Sequence, residues 1–233
     1  MNDNIVHADH RKFDIRAIPE KGLGVIATDP IDEGEVIISE APLITQALAR
    51  NEITIAASLV PKSMDEKRQY LSLANCHKKS RFQPLHGIFE TNALPCGNNT
   101  PEFGTIASKA GIFLLCSRFN SSCTPNVHNC WNEERGVLVM RALKHIAQGE
   151  ELCICYCSEW QPRDVRQAKF EAAFGFTCSC ACCSLDGDAL ISSDRRRTQL
   201  GRLYNEIGRC ADDPALGVKK VSLLIIILKL TLV

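Results

Sequence analysis

Three cysteines within six residues, Cys178-x-Cys180-x2-Cys183, constrain this chain more than any other stretch of it. They follow directly on Phe174-Gly175-Phe176-Thr177. Thiols at this spacing, bound as thiolates, suit a soft tetrahedral ion, and zinc is the first choice. A closed site takes a fourth ligand. The best donor is distant: Cys123, within Arg118-Phe119-Asn120-Ser121-Ser122-Cys123-Thr124-Pro125-Asn126. A metal held by Cys123, Cys178, Cys180 and Cys183 would tie the tail of the chain to its middle and build a pocket where they meet. Cys182 is a competing ligand, so spacing alone does not force this set. The plainer alternative is a group of buried cysteines packing as small hydrophobes.

Cysteine usage also sets the compartment. The chain has 13 cysteines, an odd number, and its opening Met1-Asn2-Asp3-Asn4 is polar, without the apolar segment of a secretory signal. A reducing, intracellular setting (nucleus or cytoplasm) is expected, with most thiols free or metal-bound. Basic and acidic residues balance at 27 each, so no global field favours nucleic acid. The one basic run, Arg195-Arg196-Arg197, reads as a solvated helix face. The tail Val221–Val233 is strongly apolar, but its 13 residues fall short of the ~20 that cross a bilayer. It reads as a packed terminal helix or strand, or as the stub of a longer region. No membrane partner is expected, and the chain is expected to be a monomer.

Two segments share a pattern: Ala27-x3-Ile31-x2-Gly34-Glu35-x-Ile37 and Ala142-x3-Ile146-x2-Gly149-Glu150-x-Leu152. Each predicts a strand, a glycine turn and a second strand, as in a hairpin. The strands fall at Val25–Ala27 with Glu35–Ile38, and at Val137–Met140 with Leu152–Tyr156. Between them, Ser63-Met64-Asp65-Glu66 has the form of a capping box and opens a helix through about Ala74. Ala47 to Val60 also reads as helical. Leu94 to Phe103, with two prolines, Gly97 and paired asparagines, reads as a loop. Pro162 to Phe174 forms a helix that Gly175 can cap, and Arg195 to Gly208 another.

Four motifs occur in order: Lys21-Gly22-Leu23-Gly24, the Arg118–Asn126 stretch, Gly149-Glu150-Glu151-Leu152-Cys153-Ile154-Cys155-Tyr156, and the cysteine triplet. This series resembles the SET-domain protein-lysine methyltransferases, in particular the SET-and-MYND-like branch and its small fungal relatives. Residues 41 to 110 lack the dense cysteine and histidine spacing of a MYND finger. The resemblance implies an α+β, β-rich SET fold of small curved sheets with a pseudo-knot, and a helical insertion at about residues 45–86. The implied order is a leader 1–20, a SET domain 21–160, a zinc-binding post-SET segment 161–188 and a helical extension 189–233.

The resemblance implies transfer of a methyl group from S-adenosylmethionine to a protein lysine, histone or non-histone. It nominates Gly22, Leu23, Gly24, Asn92, Asn120, Ser121, Tyr156 and Phe176 as cofactor contacts, Tyr156 as the catalytic residue and the four cysteines as a structural zinc site. Ser121 stands where the family has histidine, which motivates an alternative: a non-catalytic SET-like interaction module. Each nominee also has a plain structural reading. Gly22-x-Gly24 suits a turn, Asn92 a loop cap, Tyr156 and Phe176 core aromatics. Glu150-Glu151 reads as turn and strand-edge charge, and Cys153, Cys155 and Cys157 as packed thiols on one strand face. The six histidines form no relay, and a zinc-dependent nucleic-acid binder lacks its basic face.

Overall fold

A computed structural model describes residues 11–78, 82–99, 107–157, 160–207, 209–210 and 213–231. It divides into two compact units, one of Met1–Asn120 with Pro125–Ile154 and one of Ser121–Thr124 with Cys155–Val233.

The first unit holds three small sheets. Strands β1 (Phe13–Ile18) and β2 (Gly22–Ala27) form an antiparallel hairpin in register from Phe13 opposite Ala27 to Ile18 opposite Gly22. Strand β3 covers Val36–Glu40 and β4 Ile44–Ala47. Strands β5 (Leu94–Asn99), β6 (Ala107–Ile112), β7 (Asn120–Ser121), β8 (Val127–Asn132), β9 (Val137–Ala142) and β10 (Glu151–Ile154) complete the set. The sheet orders are β1-β2-β10-β7, β3-β9-β8 and β4-β6-β5.

The two repeated segments are not hairpins. Strands β2 and β10 lie in one sheet, β3 and β9 in another, so the flanks of each glycine turn diverge. The turns pair with each other instead. Ile31 and Ile146 exchange both backbone bonds, at 3.0 and 2.9 Å. Gly149 N–H donates to the Ala27 carbonyl at 2.8 Å, and Gly34 N–H to the Ala142 carbonyl at 2.9 Å. Both glycines have φ near the left-handed region, 80° and 86°, which a side chain disfavours. The hydrophobic pattern gave the strands, while their partners depended on long-range pairing.

Three helices enter between β4 and β5: α1 (Glu52–Leu59), α2 (Met64–Leu71) and α3 (Pro84–Asn92). The Ser63–Glu66 capping box forms as expected, but α2 stops at Leu71, with Ser72 as its C-cap. The predicted helix from Ala47 is shorter because Ala47 ends β4 and Asn51 caps α1 with its own box to Thr54. Leu94–Asn99 is a strand, not a loop. It occupies a sheet edge, where Pro95 needs no ladder donor, and a register shift between Cys96 and Asn99 absorbs the irregularity. The rest of that predicted loop, residues 100–103, lies outside the described residues. Leu43, Ile44, Ile55, Leu59, Tyr70, Leu73, Ile88, Phe89 and Ile112 form one continuous apolar cluster under the insertion.

The second unit is helical: α4 (Arg163–Phe174), α5 (Gly187–Ile207) and α6 (Pro214–Thr231). Gly175 caps α4 in the left-handed conformation at φ 68°, as its position predicts. Leu200 and Leu203 of α5 bury against Ile227 of α6, with Trp160 and Leu224 alongside. Residues 221–231 of the apolar tail thus lie in α6, which packs through Leu224 and Ile227 and leaves Val221, Leu223, Ile225 and Ile226 exposed. Among the described residues no helix is long and apolar enough to cross a membrane.

Tyr70 is fully buried in the insertion and donates its hydroxyl to the Leu85 carbonyl at 2.7 Å. Tyr70→Phe keeps the packing and leaves that carbonyl without its partner. It is expected to cost about 1–2 kcal/mol of unfolding free energy, read as a lower denaturant midpoint at constant slope.

Candidate functional site

Within the first unit, Gly22 closes the β1–β2 turn at φ 77°, and the Leu23 side chain that follows is 46% exposed. Gly24 is required by its neighbours: a Cβ there would stand 2.6 Å from Asn120 Nδ2 and 2.7 Å from Ile18 Cγ1. That closeness lets Asn120 Nδ2 donate to the Leu23 carbonyl at 3.3 Å and to Glu151 Oε1 at 2.9 Å. The other Glu151 oxygen takes Lys21 Nζ at 2.7 Å. A polar chain from Lys21 through Glu151 and Asn120 therefore fixes the backbone of the Gly22–Gly24 turn. Glu151 does more than mark a strand edge.

Asn126 is the second organiser that residue-type reasoning passed over. It is buried, its Nδ2 donates to Glu150 Oε1 and the Glu151 carbonyl, and its Oδ1 accepts from Cys153 N–H at 2.8 Å. Glu150 also accepts the Ala147 amide, the turn role expected of it. The available signal was Asn126 closing a motif that ends opposite two adjacent acids. Asn92 terminates α3, and its Nδ2 donates to the Ala74 and Ile88 carbonyls, both at 2.7 Å. Its amide nitrogen thus joins α3 to the end of the preceding segment.

In the second unit, Ser121 is 8% exposed and its hydroxyl accepts the Tyr156 backbone N–H at 3.2 Å. Strand β10 ends at Ile154, so Tyr156 lies two residues beyond it and not at its tip. The serine side chain supplies a bond where the ladder has stopped. The Tyr156 ring meets Phe174 at 5.0 Å between centroids, Phe174 meets Phe176 at 6.2 Å, and Phe176 stacks on Phe170 at 5.0 Å. Tyr156 and Phe176 thus belong to one aromatic group. Cys153 lies in β10, but Cys155 and Cys157 follow it, with Cys155 Sγ donating to the Cys157 carbonyl.

The sulfurs of Cys123, Cys178, Cys180 and Cys183 all lie within 4.8 Å of one another. Zinc–sulfur bonds of 2.3 Å in a tetrahedron require separations of about 3.8 Å, so this donor set fits a tetrathiolate ion. Cys182 stays outside the group, because its Sγ accepts from Arg197 Nη2 at 3.0 Å and Arg166 Nη2 at 3.4 Å. The triplet is held from α4 as well: Gln167 accepts the Cys178 N–H and donates to the Cys178 carbonyl. Crowded thiols share protons unevenly. Hydrogen bonds with Cys178, Cys180 and Cys183 push the Cys123 thiol far up, whereas bonds from Cys123, Cys178 and Cys183 draw Cys180 far down. Four thiolates this close repel one another unless a cation sits among them.

The SET domain model matches residues 22–157, more than half of the chain. The chain belongs to the SET domain family. It is 34% identical over 189 residues to the histone-lysine N-methyltransferase set5 of Schizosaccharomyces pombe, an alignment covering 81% of this chain and 56% of that protein. It is 37% identical over 82 residues to the protein-lysine N-trimethyltransferase SMYD5 of Mus musculus, covering 34% of this chain and 20% of SMYD5. The mouse histone-lysine N-methyltransferase SMYD3 is 31% identical over 121 residues, half of this chain and 28% of that one. The chain therefore spans little more than half the length of set5 and far less of the SMYD proteins.

The SET match encloses Gly22–Gly24, Asn92, Asn120, Ser121 and Tyr156, and it stops before the Cys178 triplet. In this SET chain most of the residues nominated by resemblance fall into three constellations: Gly22–Gly24 with Asn120, Ser121 and Phe176 with Tyr156, and the four cysteines; Asn92 stands apart on the Ala74 and Ile88 carbonyls. Of Arg195–Arg197, Arg195 is exposed as expected and Arg197 departs from the solvated face. Arg197 is 2% exposed and points at the cysteine group, because one face of α5 packs inward at Ser193, Arg197 and Leu200.

Gly24→Ala inserts a methyl group into the space that Asn120 Nδ2 occupies. The variant is expected to lose about 1–3 kcal/mol of stability and to displace the Asn120 amide from Glu151. Denaturant unfolding and the side-chain amide resonances of Asn120 check this. An unshifted amide at full stability would show that the turn has room to spare.

Proposed function

We propose that this SET chain is a protein-lysine N-methyltransferase that uses S-adenosylmethionine as methyl donor. The observation that carries the reading is the SET match over residues 22–157, which encloses Asn120, Ser121 and Tyr156. The printed names of set5, SMYD5 and SMYD3 describe lysine methyltransferases and support the same class. The substrate is a lysine side chain on a protein, histone or non-histone, met by a monomer in the nucleus or cytoplasm.

The chemistry asks little covalent work of the protein. A lysine amine attacks the sulfonium-bound methyl in line, the carbon–sulfur bond breaks, and the electron pair stays on the departing sulfur. The amine must first lose a proton from a free pKa of ~10.4, and a sulfonium beside it favours the neutral form by like-charge repulsion. Alignment and electrostatics supply the rest. In this reading the Tyr156 hydroxyl orients the amine, and the Ser121 hydroxyl fixes the backbone that carries Tyr156. Gly22, Leu23, Gly24, Asn92 and Asn120 are assigned to the donor, together with Ser121, Tyr156 and Phe176. Because Asn120 Nδ2 already serves Leu23 and Glu151, its side-chain carbonyl oxygen is the group assigned to the ligand. Cys123, Cys178, Cys180 and Cys183 hold one structural zinc.

The deciding experiment combines titration calorimetry with S-adenosylmethionine and transfer of labelled methyl to core histones and a lysine-containing peptide library. Tyr156→Phe should bind the donor as the wild type does and lose ~10²-fold or more in turnover, the scale of a lost orienting contact. A wild type that neither binds donor nor labels any lysine is the non-catalytic interaction module. Equal turnover by Tyr156→Phe would remove that residue from the chemistry.

The Ser121 side chain gives a separate expectation. Ser121→Ala removes one hydrogen bond to the Tyr156 amide, worth about 0.5–1.5 kcal/mol, so turnover should fall roughly 2- to 10-fold. Ser121→Thr, which keeps the hydroxyl, should recover most of it. A loss in donor affinity with unchanged turnover would assign Ser121 to the donor alone.

A further inference from the structure

Two arginines of the second unit, Arg166 and Arg197, are buried beside the cysteines. Arg166, on α4, is 0% exposed, and Arg197, on α5, is 2% exposed. A buried guanidinium needs a counter-charge and partners for its five N–H donors. Asp194 lies 3.8 Å from Arg166 Nη1, but that carboxylate is a quarter exposed and its Oδ1 already takes the Arg163 amide at 2.9 Å.

Both reach the cysteines. Arg166 Nε donates to Cys123 Sγ at 3.1 Å, and its Nη2 reaches Cys182 Sγ at 3.4 Å and Cys183 Sγ at 3.6 Å. Its Nη1 is bound to the Gln161 carbonyl. Arg197 Nη2 donates to the Cys123 carbonyl at 3.1 Å and to Cys182 Sγ at 3.0 Å. Two of the four sulfurs in the metal-fitting group, and the backbone of one, thus receive guanidinium donors. Cys182, the thiol left out of that group, is the hinge on which both arginines meet.

We propose that Arg166, backed by Arg197, is the outer partner of the cysteine site, fixing its sulfurs through N–H···S bonds and coupling metal retention to the packing of α4 and α5. The inference rests on the zinc reading given above. A dication bound by four thiolates keeps two formal negative charges, and the Arg166 guanidinium sets a positive one against Cys123 and Cys183. Charge-assisted N–H···S bonds orient the Cys123 and Cys183 sulfurs. Such outer partners fix the ligands and tune the metal. The dependence runs both ways. With the metal gone, the sulfurs are no longer held together, the N–H···S bonds of Arg166 and Arg197 lose their fixed acceptors, and α4 and α5 lose that shared tie.

The test uses the full chain loaded with zinc, or with cobalt(II) as a spectroscopic stand-in. Arg166→Met should release zinc to a chromophoric chelator at least tenfold more readily, within the ~10–100-fold typical of outer-shell partners. Arg197→Met should weaken retention by less, since it reaches the site through the Cys123 carbonyl and Cys182. Arg195→Met, on the exposed side of the same helix, should match the wild type. In the cobalt form of Arg166→Met, loss of N–H donors should move the thiolate-to-metal charge-transfer band to longer wavelength. Should Arg166→Met fail to fold, the wild type decides: stripping zinc should raise hydrogen exchange across the Ser193–Leu200 stretch of α5. Folded Arg166→Met that keeps zinc within twofold of wild type, or an α5 indifferent to zinc removal, overturns the proposal. A wild type that binds no zinc or cobalt overturns the zinc reading itself, and this inference with it.

Discussion

The backbone bonds exchanged between the Ala27–Gly34 and Ala142–Gly149 segments hold the first unit together. Each turn satisfies the polar groups of the other, through Ile31 with Ile146 and through the two glycine amides. Buried amides and carbonyls left unpaired would cost more than a made bond gains, so these pairings fix where four strands begin or end. Strand β2 is delivered to β10 and β3 to β9, and the Gly22–Gly24 turn then stands where Asn120 can bond it. Without left-handed backbone at Gly34 and Gly149 neither turn could offer its N–H in this direction.

The stretch from Arg118 to Asn126 concentrates the chemistry of both units in nine residues. Asn120 and Asn126 serve the first unit, through Glu151 and the start of β10, whereas Ser121 and Cys123 serve the second. Adjacent residues here have unlike tasks. Asn120 braces a glycine turn, Ser121 takes the amide of Tyr156, and Cys123 completes a sulfur cluster under a buried arginine. Short polar side chains suit this work, since each can bond to backbone within reach of its own Cα.

Several departures share one cause. The edge strand at Leu94–Asn99, the inward turn of Arg197 and the bracing role of Glu151 all contradict what residue type suggests in isolation. Proline and paired asparagines read as loop until a free sheet edge accepts them. Arg197 reads as solvated until the Cys182 sulfur and the Cys123 carbonyl accept its guanidinium. Local preference is a weak prior where tertiary contacts of this size are available.

The sequence by itself determined the family motifs, the strands flanking the glycine turns, the Ser63 and Gly175 helix boundaries, and a cysteine triplet with Cys123 as its partner. These are legible because capping, left-handed turns and ligand spacing act over a few residues and leave fixed marks in the order of side chains. Only the tertiary structure decided which strands pair, that Cys182 faces two arginines and stays out of the four-sulfur group, and that Ser121 bonds the backbone of Tyr156. Those outcomes rest on contacts between residues far apart in the chain, 15 positions for Cys182 with Arg197 and 115 for Ile31 with Ile146 among them. Spacing along the chain carries no record of such contacts, because they exist only once burial has removed water as the competing partner.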